Sequence, residues 1–305
     1  MSYDPWSRAY MSQSVQRARQ GLAIYFSVLV PASALLEWLL LRTGDPIEKH
    51  LGLVFALMWV PALASFIARI LLREGIRDVS FRFGGVKGAK ALLVAWIYPL
   101  AVGGPSYGFA WLAGLSVFSP PLLEPFNLQL APPLTRFGVL LALTFSLATV
   151  FGTLFAAGEE IGWRGYILTR LIDAKIPRPV LASGLIWGLW HLPLILSGQY
   201  ASGPYPALSA CIFLLNITVF AYLAARLRLE SGSVWPATLV HAAWNTIIQG
   251  VFDASTQGKS VWVGESGILV ALVNLVVVAM LVRGNWTVKR TPGETEPAMI
   301  RALAV

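Results

Sequence analysis

The chain has 305 residues, of which 56% are hydrophobic and 12% are charged. Soluble domains carry about a quarter charged residues, and a mean hydropathy of +0.67 leaves too little polar surface to coat a water-soluble globule. The composition therefore predicts an all-α polytopic bundle in a lipid bilayer. In such a protein the net charge of +8 indicates basic cytoplasmic loops, and we expect no nucleic-acid partner.

Apolar runs of about 20 residues mark the predicted membrane spans. They cover residues 21–41, 51–72, 91–116, 137–158, 180–197, 207–226, 233–251 and 266–283. The fourth run continues to Leu171, which is more than one span needs, so we expect its helix either to overhang the bilayer or to break. The single cysteine, Cys211, lies within an apolar run and is predicted to be a small buried residue.

The distribution of Lys and Arg predicts the orientation. With the N-terminus inside, 18 of the 23 basic residues fall on the inner side, so both termini are predicted to be cytoplasmic. The predicted regions are a cytoplasmic segment at 1–20, three spans with their loops at 21–136, a core at 137–251, a last span with its preceding loop at 252–283, and a disordered tail at 284–305.

Ionisable residues within the spans are the informative positions, because each costs about 2.5–3.5 kcal/mol on insertion scales. Glu159 and Glu160 are adjacent, so their side chains point about 100° apart on a helix. Glu160 and Arg164 are i and i+4 and can form an ion pair. Glu159 then points elsewhere, and a buried carboxylate without a cation is a plausible base. A solvated ion pair at a cytoplasmic helix end remains the alternative.

Two histidines also lie within predicted spans. Trp187 precedes His191 by one helical turn and is placed to orient its imidazole. His241 and Asn245 are i and i+4 and share one helical face. A structural histidine and hydrogen bonds between helices are the alternatives for these two positions.

The predicted depths of these groups agree. From the cytoplasmic side, the chain reaches His191 after about 16 Å, His241 after about 12 Å and Asn245 after about 18 Å. Glu159 arrives from the outer side and falls in the inner half. We therefore expect all four side chains to meet in the cytoplasmic half of the bilayer.

The three motifs together resemble the signature of the CPBP family, which comprises CAAX prenyl endopeptidases and bacteriocin-processing or immunity proteins, also called abortive-infection proteins. The motifs are Glu159-Glu160-x-x-x-Arg164, an aromatic residue four positions before a histidine (Trp187-x-x-x-His191), and His241-x-x-x-Asn245. The resemblance covers about residues 137–250. Trp187 stands where the family commonly has Phe, which alters the shape of the pocket.

This resemblance implies a catalytic role for four residues. Glu159 and His191 would activate a water for attack on a peptide carbonyl, and His241 and Asn245 would stabilise the oxyanion. Peptide hydrolysis needs a base for water and donors aimed at the developing negative charge. A low-dielectric chamber strengthens both effects.

The resemblance also implies that Glu160 and Arg164 hold the helix and tune Glu159. Two histidines with one carboxylate form a known zinc ligand set, so Glu159, His191 and His241 are the candidate metal ligands. They come from three helices without the His-Glu-x-x-His spacing of a metalloprotease helix. We therefore favour a reaction that requires no cofactor and keep zinc as the alternative.

The sequence thus predicts an intramembrane endopeptidase, multi-pass in the plasma membrane of a prokaryote, that acts on a peptide or membrane-protein substrate. A transporter or proton relay would use similar intramembrane Glu and His residues, although the chain shows no paired broken helices in two repeated halves. A non-catalytic immunity or scaffold protein is the third hypothesis. The substrate and the oligomeric state are not predicted.

Overall fold

The computed structural model describes residues 5–126, 128–201 and 203–283. Within them the chain forms eight helical rods, α1 (Pro5–Thr43), α2 (Leu51–Leu71), α3 (Gly85–Leu112), α4 (Pro133–Asp173), α5 (Pro179–Leu196), α6 (Pro206–Ser231), α7 (Trp235–Trp244, continued by Asn245–Asp253) and α8 (Ile268–Leu281). The described residues also contain three 3-10 turns, at Ile47–His50, Arg77–Val79 and Glu124–Phe126. Two short antiparallel strands, β1 (Val117–Phe118) and β2 (Thr256–Gln257), pair with each other.

The all-α polytopic bundle is confirmed. Each predicted apolar run overlaps one helical rod, and α1 to α6 are long and apolar enough to cross a membrane. Helix α8 is apolar but has 14 residues, so the crossings by α7 and α8 stay predictions. The segment predicted at 1–20 is helical from Pro5 onward and continuous with α1. The predicted tail at 284–305 lies outside the described residues.

Helix α4 overhangs instead of breaking. Its 41 residues correspond to about 60 Å, twice the hydrocarbon thickness of about 30 Å. It contains no proline after Pro133, and its irregularities are two π-helical turns, Thr144–Ala148 and Trp163–Ile167, that keep the rod continuous. Such turns occur often near functional sites, and the second one directly follows the Glu159–Glu160 pair.

Two glycines fix the position of α4 against α2. A methyl group added at Gly158 would lie 2.6 Å from the carbonyl oxygen of Met58, and one added at Gly162 would lie 2.6 Å from the carbonyl carbon of Pro61. Both contacts are too close for any larger residue. Glycines four residues apart allow this close approach of membrane helices, and here they hold the helix that carries Glu159.

A buried ion-pair network joins α4 to the loop that follows α2. Arg170 contacts Glu74 at 2.7 Å and Asp78 at 3.0 Å, and Arg69 forms a further ion pair with Asp78. Arg69 also donates to the carbonyl oxygen of Gly165 at 3.1 Å. The network anchors the overhanging end of α4 to its neighbours.

The prediction for Cys211 is wrong, because this residue is exposed on α6. A helix in a membrane can place a small apolar side chain toward lipid at no hydrophobic cost, so an apolar run alone does not separate a core position from a lipid-facing one.

Candidate active site

Three helices bring the predicted ionisable residues together. Glu159 on α4, His191 on α5 and His241 on α7 are 2%, 8% and 4% exposed, so all three are buried inside the bundle. Nε2 of His241 lies 3.9 Å from Oε1 of Glu159. This separation is too long for a direct hydrogen bond and suits a bridging water.

Glu159 is held by two indole groups. Its Oε2 accepts hydrogen bonds from Nε1 of Trp163 at 3.1 Å and from Nε1 of Trp187 at 2.8 Å. The side chain of Trp187 therefore orients the carboxylate, whereas the sequence suggested that it orients His191. The imidazole is held instead by the backbone, because Nδ1 of His191 lies 2.8 Å from the carbonyl oxygen of Trp187.

Glu160 connects α4 to α7. The predicted pair with Arg164 is confirmed at 2.7 Å, and the same Oε1 lies 2.9 Å from Nδ1 of His241. The Arg164 guanidinium also sits over the ring of Trp187, 4.1 Å from its centroid. Glu160 thus holds the candidate catalytic residue His241, which lies on another helix. Helical spacing alone does not reveal this contact.

The hydrogen bonds at Nδ1 determine the tautomers of the two neutral imidazoles. A backbone carbonyl and a carboxylate can only accept, so Nδ1 carries the proton in both His191 and His241. Each neutral ring then presents Nε2 as a hydrogen-bond acceptor. A ring that donates from Nε2 must bind a second proton.

A small cavity lies between α5, α6 and α7. His191, His241 and Asn245 line it together with Trp187, so three of the four predicted catalytic residues border the same cavity. Glu159 is not part of the lining and sits behind, hydrogen-bonded to Trp187. The cavity offers about 30 Å³ to the centres of water molecules, and about 10–15 Å³ is enough for one.

Sequence reasoning missed one carboxyl group of this cavity, that of Glu265. It lies in the segment between α7 and α8, which the sequence predicts to be the loop preceding the last span. The segment turns back into the bundle, because Nε1 of Trp244 donates to Oε1 of Glu265 at 2.5 Å and Nδ2 of Asn216 donates to its backbone carbonyl at 2.9 Å. The available signal was an acidic residue directly before the last apolar run.

The arrangement of the donor groups shows how well the site fits a metal ion. Over the described part of the chain, no three His, Cys, Asp or Glu side chains are grouped as a metal-ligand set. Glu159 directs one oxygen to two indoles and His191 uses Nδ1 for the backbone, as described above. The donor atoms are thus arranged for hydrogen bonding, and the dependence of activity on a cofactor stays a prediction.

The fold and the site define a polytopic helical membrane protein with two buried imidazoles at one cavity and a buried carboxylate behind its lining. Residues 138–247 match the model of a family described as type II CAAX prenyl endopeptidase Rce1-like. This range is about a third of the chain and contains Glu159, His191, His241 and Asn245. The chain is therefore a multi-pass membrane protein in which residues 138–247 are similar to this peptidase family. Among curated proteins, no match to the chain was found.

Proposed function

We propose that this protein hydrolyses a peptide bond with a water molecule activated by Glu159 and His191. The observation that carries the proposal is the convergence of three helices: His191 and His241 line one cavity of water size, and Glu159, behind the lining, lies 3.9 Å from His241. Groups this polar are costly inside a membrane bundle unless they have a task.

The base is built from Glu159 and His191. Nε2 of His191 is the free acceptor of its ring, and Oε1 of Glu159 is directed toward Nε2 of His241. A water that donates to these acceptors gives up a proton as its oxygen attacks the peptide carbonyl carbon. General-base catalysis of this kind contributes about 10²–10⁴-fold in rate.

The oxyanion site is built from His241 and Asn245. His241 binds Glu160 through Nδ1, so a second proton on its ring sits on Nε2 and can be donated to the oxyanion. The Asn245 amide lies one helical turn further along the same wall and supplies a neutral donor. Each such donor contributes about 10²–10³-fold in rate.

The preferred reaction requires no metal. In the zinc alternative, Glu159, His191 and His241 would be the ligands, and the ion would supply a polarised water. Every role given above belongs to side chains of this chain, so removal of metal is expected to leave cleavage unchanged.

The substrate is proposed to be a peptide or membrane protein that enters from the cytoplasmic half of a prokaryotic plasma membrane. The matched family description names CAAX prenyl endopeptidases, so a prenylated C-terminal peptide is the first substrate to test. Leader peptides and membrane-anchored proteins complete the panel.

The test is cleavage of this panel by the purified protein, with and without chelator. The wild type should cleave at least one peptide in both conditions. Glu159→Ala, His191→Ala and His241→Ala should insert in the membrane and cleave nothing, while His50→Ala, at a histidine outside the cavity, should be active. Full activity of Glu159→Ala would contradict the proposal, and proton or solute transport without cleavage would favour the relay alternative.

A further inference from the structure

A second carboxyl group borders the cavity that holds the two histidines. Glu265 is 5% exposed and lines the cavity with His191, His241 and Asn245. It comes from the irregular segment between α7 and α8, outside the three sequence motifs. Irregular backbone within a membrane bundle is tolerated where it is buried in protein or lines a cavity, and in this segment Glu265, Ser266 and Gly267 are buried.

The neighbours of Glu265 connect it to His191. The hydroxyl of Tyr200 and the amide of Gln249 lie beside its carboxyl group and are 3.1 Å from each other. The ring of Tyr200 stacks on His191 with centroids 5.6 Å apart. Glu265 and His191 therefore border the same cavity, and Tyr200 lies next to both.

The two carboxyl groups of the site have different partners. Glu159 accepts two indole N–H bonds on one oxygen. Glu265 accepts one indole N–H on Oε1, and its buried Oε2 accepts no hydrogen bond of good geometry. Among the described residues, no Lys or Arg forms an ion pair with Glu265.

Protonation of Glu265 follows from this environment. Burial raises the pKa of the Glu265 carboxyl above its usual range, and the nearby Tyr200, Gln249 and Trp244 donors and the His241 ring offset part of the rise. A raised pKa means a larger protonated fraction near neutral pH. Two carboxyl groups whose environments differ in this way take the roles of acid and base in hydrolases.

We propose that Glu265 is the general acid that protonates the leaving amine. The inference rests on the proposed peptide hydrolysis. Water gives one proton to the Glu159–His191 base, and its oxygen bonds to the carbonyl carbon. The carbon–nitrogen bond then breaks as Glu265 transfers its carboxyl proton to the nitrogen. The proton held by the base returns to Glu265 through water, so each cycle consumes one water and yields one carboxylic acid and one amine.

The test separates proton delivery from positioning by the choice of leaving group. Glu265→Gln keeps the side-chain volume and an oxygen for the Trp244 indole but has no proton to transfer. On a peptide amide, we expect kcat to fall about 100-fold or more with little change in KM. On the matched 4-nitrophenyl ester, whose leaving group needs no proton, we expect cleavage within about threefold of the wild type.

Glu37→Gln is the matched control. Glu37 is another buried carboxyl, 7% exposed on α1, and it does not line the cavity. This variant should cleave both substrates as the wild type does. Infrared spectra supply a readout without substrate, because a protonated carboxyl band present in the wild type should be missing in Glu265→Gln at neutral pH.

Two results would overturn the inference while leaving peptide hydrolysis in place. One is amide cleavage by Glu265→Gln at the wild-type rate, and the other is an equal loss on amide and ester, which indicates positioning alone. If Glu265→Gln fails to fold, the amide and ester cleavage rates of Glu265→Asp and the infrared band of the protonated carboxyl group are the deciding measurements. A wild type that lacks this band would overturn the inference. A wild type that cleaves neither substrate contradicts the proposed function itself, and the inference falls with it.

Discussion

Two adjacent carboxylates, Glu159 and Glu160, have different partners because consecutive helical residues point about 100° apart. Glu160 is fully buried between Arg164 and His241, where it completes an ion pair and a hydrogen bond. Glu159 meets neutral indole donors and the Nε2 side of His241. Glu159 is thus placed for activity, and Glu160 is placed to hold the site together.

Removal of the Glu160 charge should mainly reduce stability. Glu160→Gln leaves Arg164 as a buried cation without its ion pair, so we expect the free energy of unfolding to fall by about 3–5 kcal/mol. Glu159→Gln, which leaves that pair intact, should change it by less than about 1 kcal/mol. Denaturant unfolding in detergent measures both, and an equal loss in the two variants would contradict this division of roles.

Replacement of the Trp187 indole should be tolerated by the reaction. Trp187→Phe removes the N–H bond to Glu159 and keeps an aromatic ring, so we expect a loss of about 1.5–3 kcal/mol in stability, as for hydrogen bonds to charged groups. Cleavage should stay within about tenfold, since Trp163 still binds the carboxylate.

Trp190→Phe on the same helix is the control for this prediction. Its indole bonds the neutral hydroxyl of Ser33 at 2.8 Å, so the expected loss is about 0.5–1.5 kcal/mol. Thermal unfolding and initial cleavage rates compare the two variants. A larger loss in Trp190→Phe would show that the bond to Glu159 is not the stronger one.

At the scale of elements, helical spacing predicted the local pairs, and tertiary structure supplied the rest. The i, i+4 rule predicted the ion pair of Glu160 with Arg164, whereas the long apolar pattern of α4 left open whether its helix overhangs or breaks. The bond from His241 to Glu160 and the return of Glu265 into the bundle join residues distant in sequence. The local sequence pattern does not show how α7 and the segment after it pack, so it indicates neither contact.

The glycine pair within the Glu159 motif is an element-scale feature with a direct test. Gly158→Ala should push α4 from α2, at a cost of about 1–3 kcal/mol, and should displace Glu159. Gly138→Ala on the same helix has open space around the added methyl and should change neither stability nor cleavage. The free energy of unfolding and the cleavage rate are measured for both variants. Equal values for Gly158→Ala and Gly138→Ala would contradict the role of the α2–α4 contact.

At the scale of the whole molecule, the charge distribution predicts which ends of the helices face the cytoplasm. The loop after α4, near Lys175, is predicted to be inside, and the segment after α7, near Lys259, is predicted to be outside. This orientation stays a prediction. Residues 138–247 are similar to the matched family, and the positions of the basic residues predict how this segment is oriented in the membrane.

Single-cysteine labelling tests the orientation. In a Cys211→Ala background, which removes the exposed native thiol, Lys259→Cys should react with a membrane-impermeant reagent added outside intact cells. Lys175→Cys should react only after the cells are opened. The reverse pattern would place the active-site chamber in the outer half of the bilayer.

The central claim is that Glu159 and His191 act as one unit on one water, and a double-mutant cycle measures this directly. The kcat/KM for peptide cleavage is determined for the wild type, Glu159→Gln, His191→Gln and the double variant. Residues that act as a unit show strongly non-additive losses, so the double variant should be no slower than the slower single variant. Losses that multiply would show that the two groups act independently and would contradict the account.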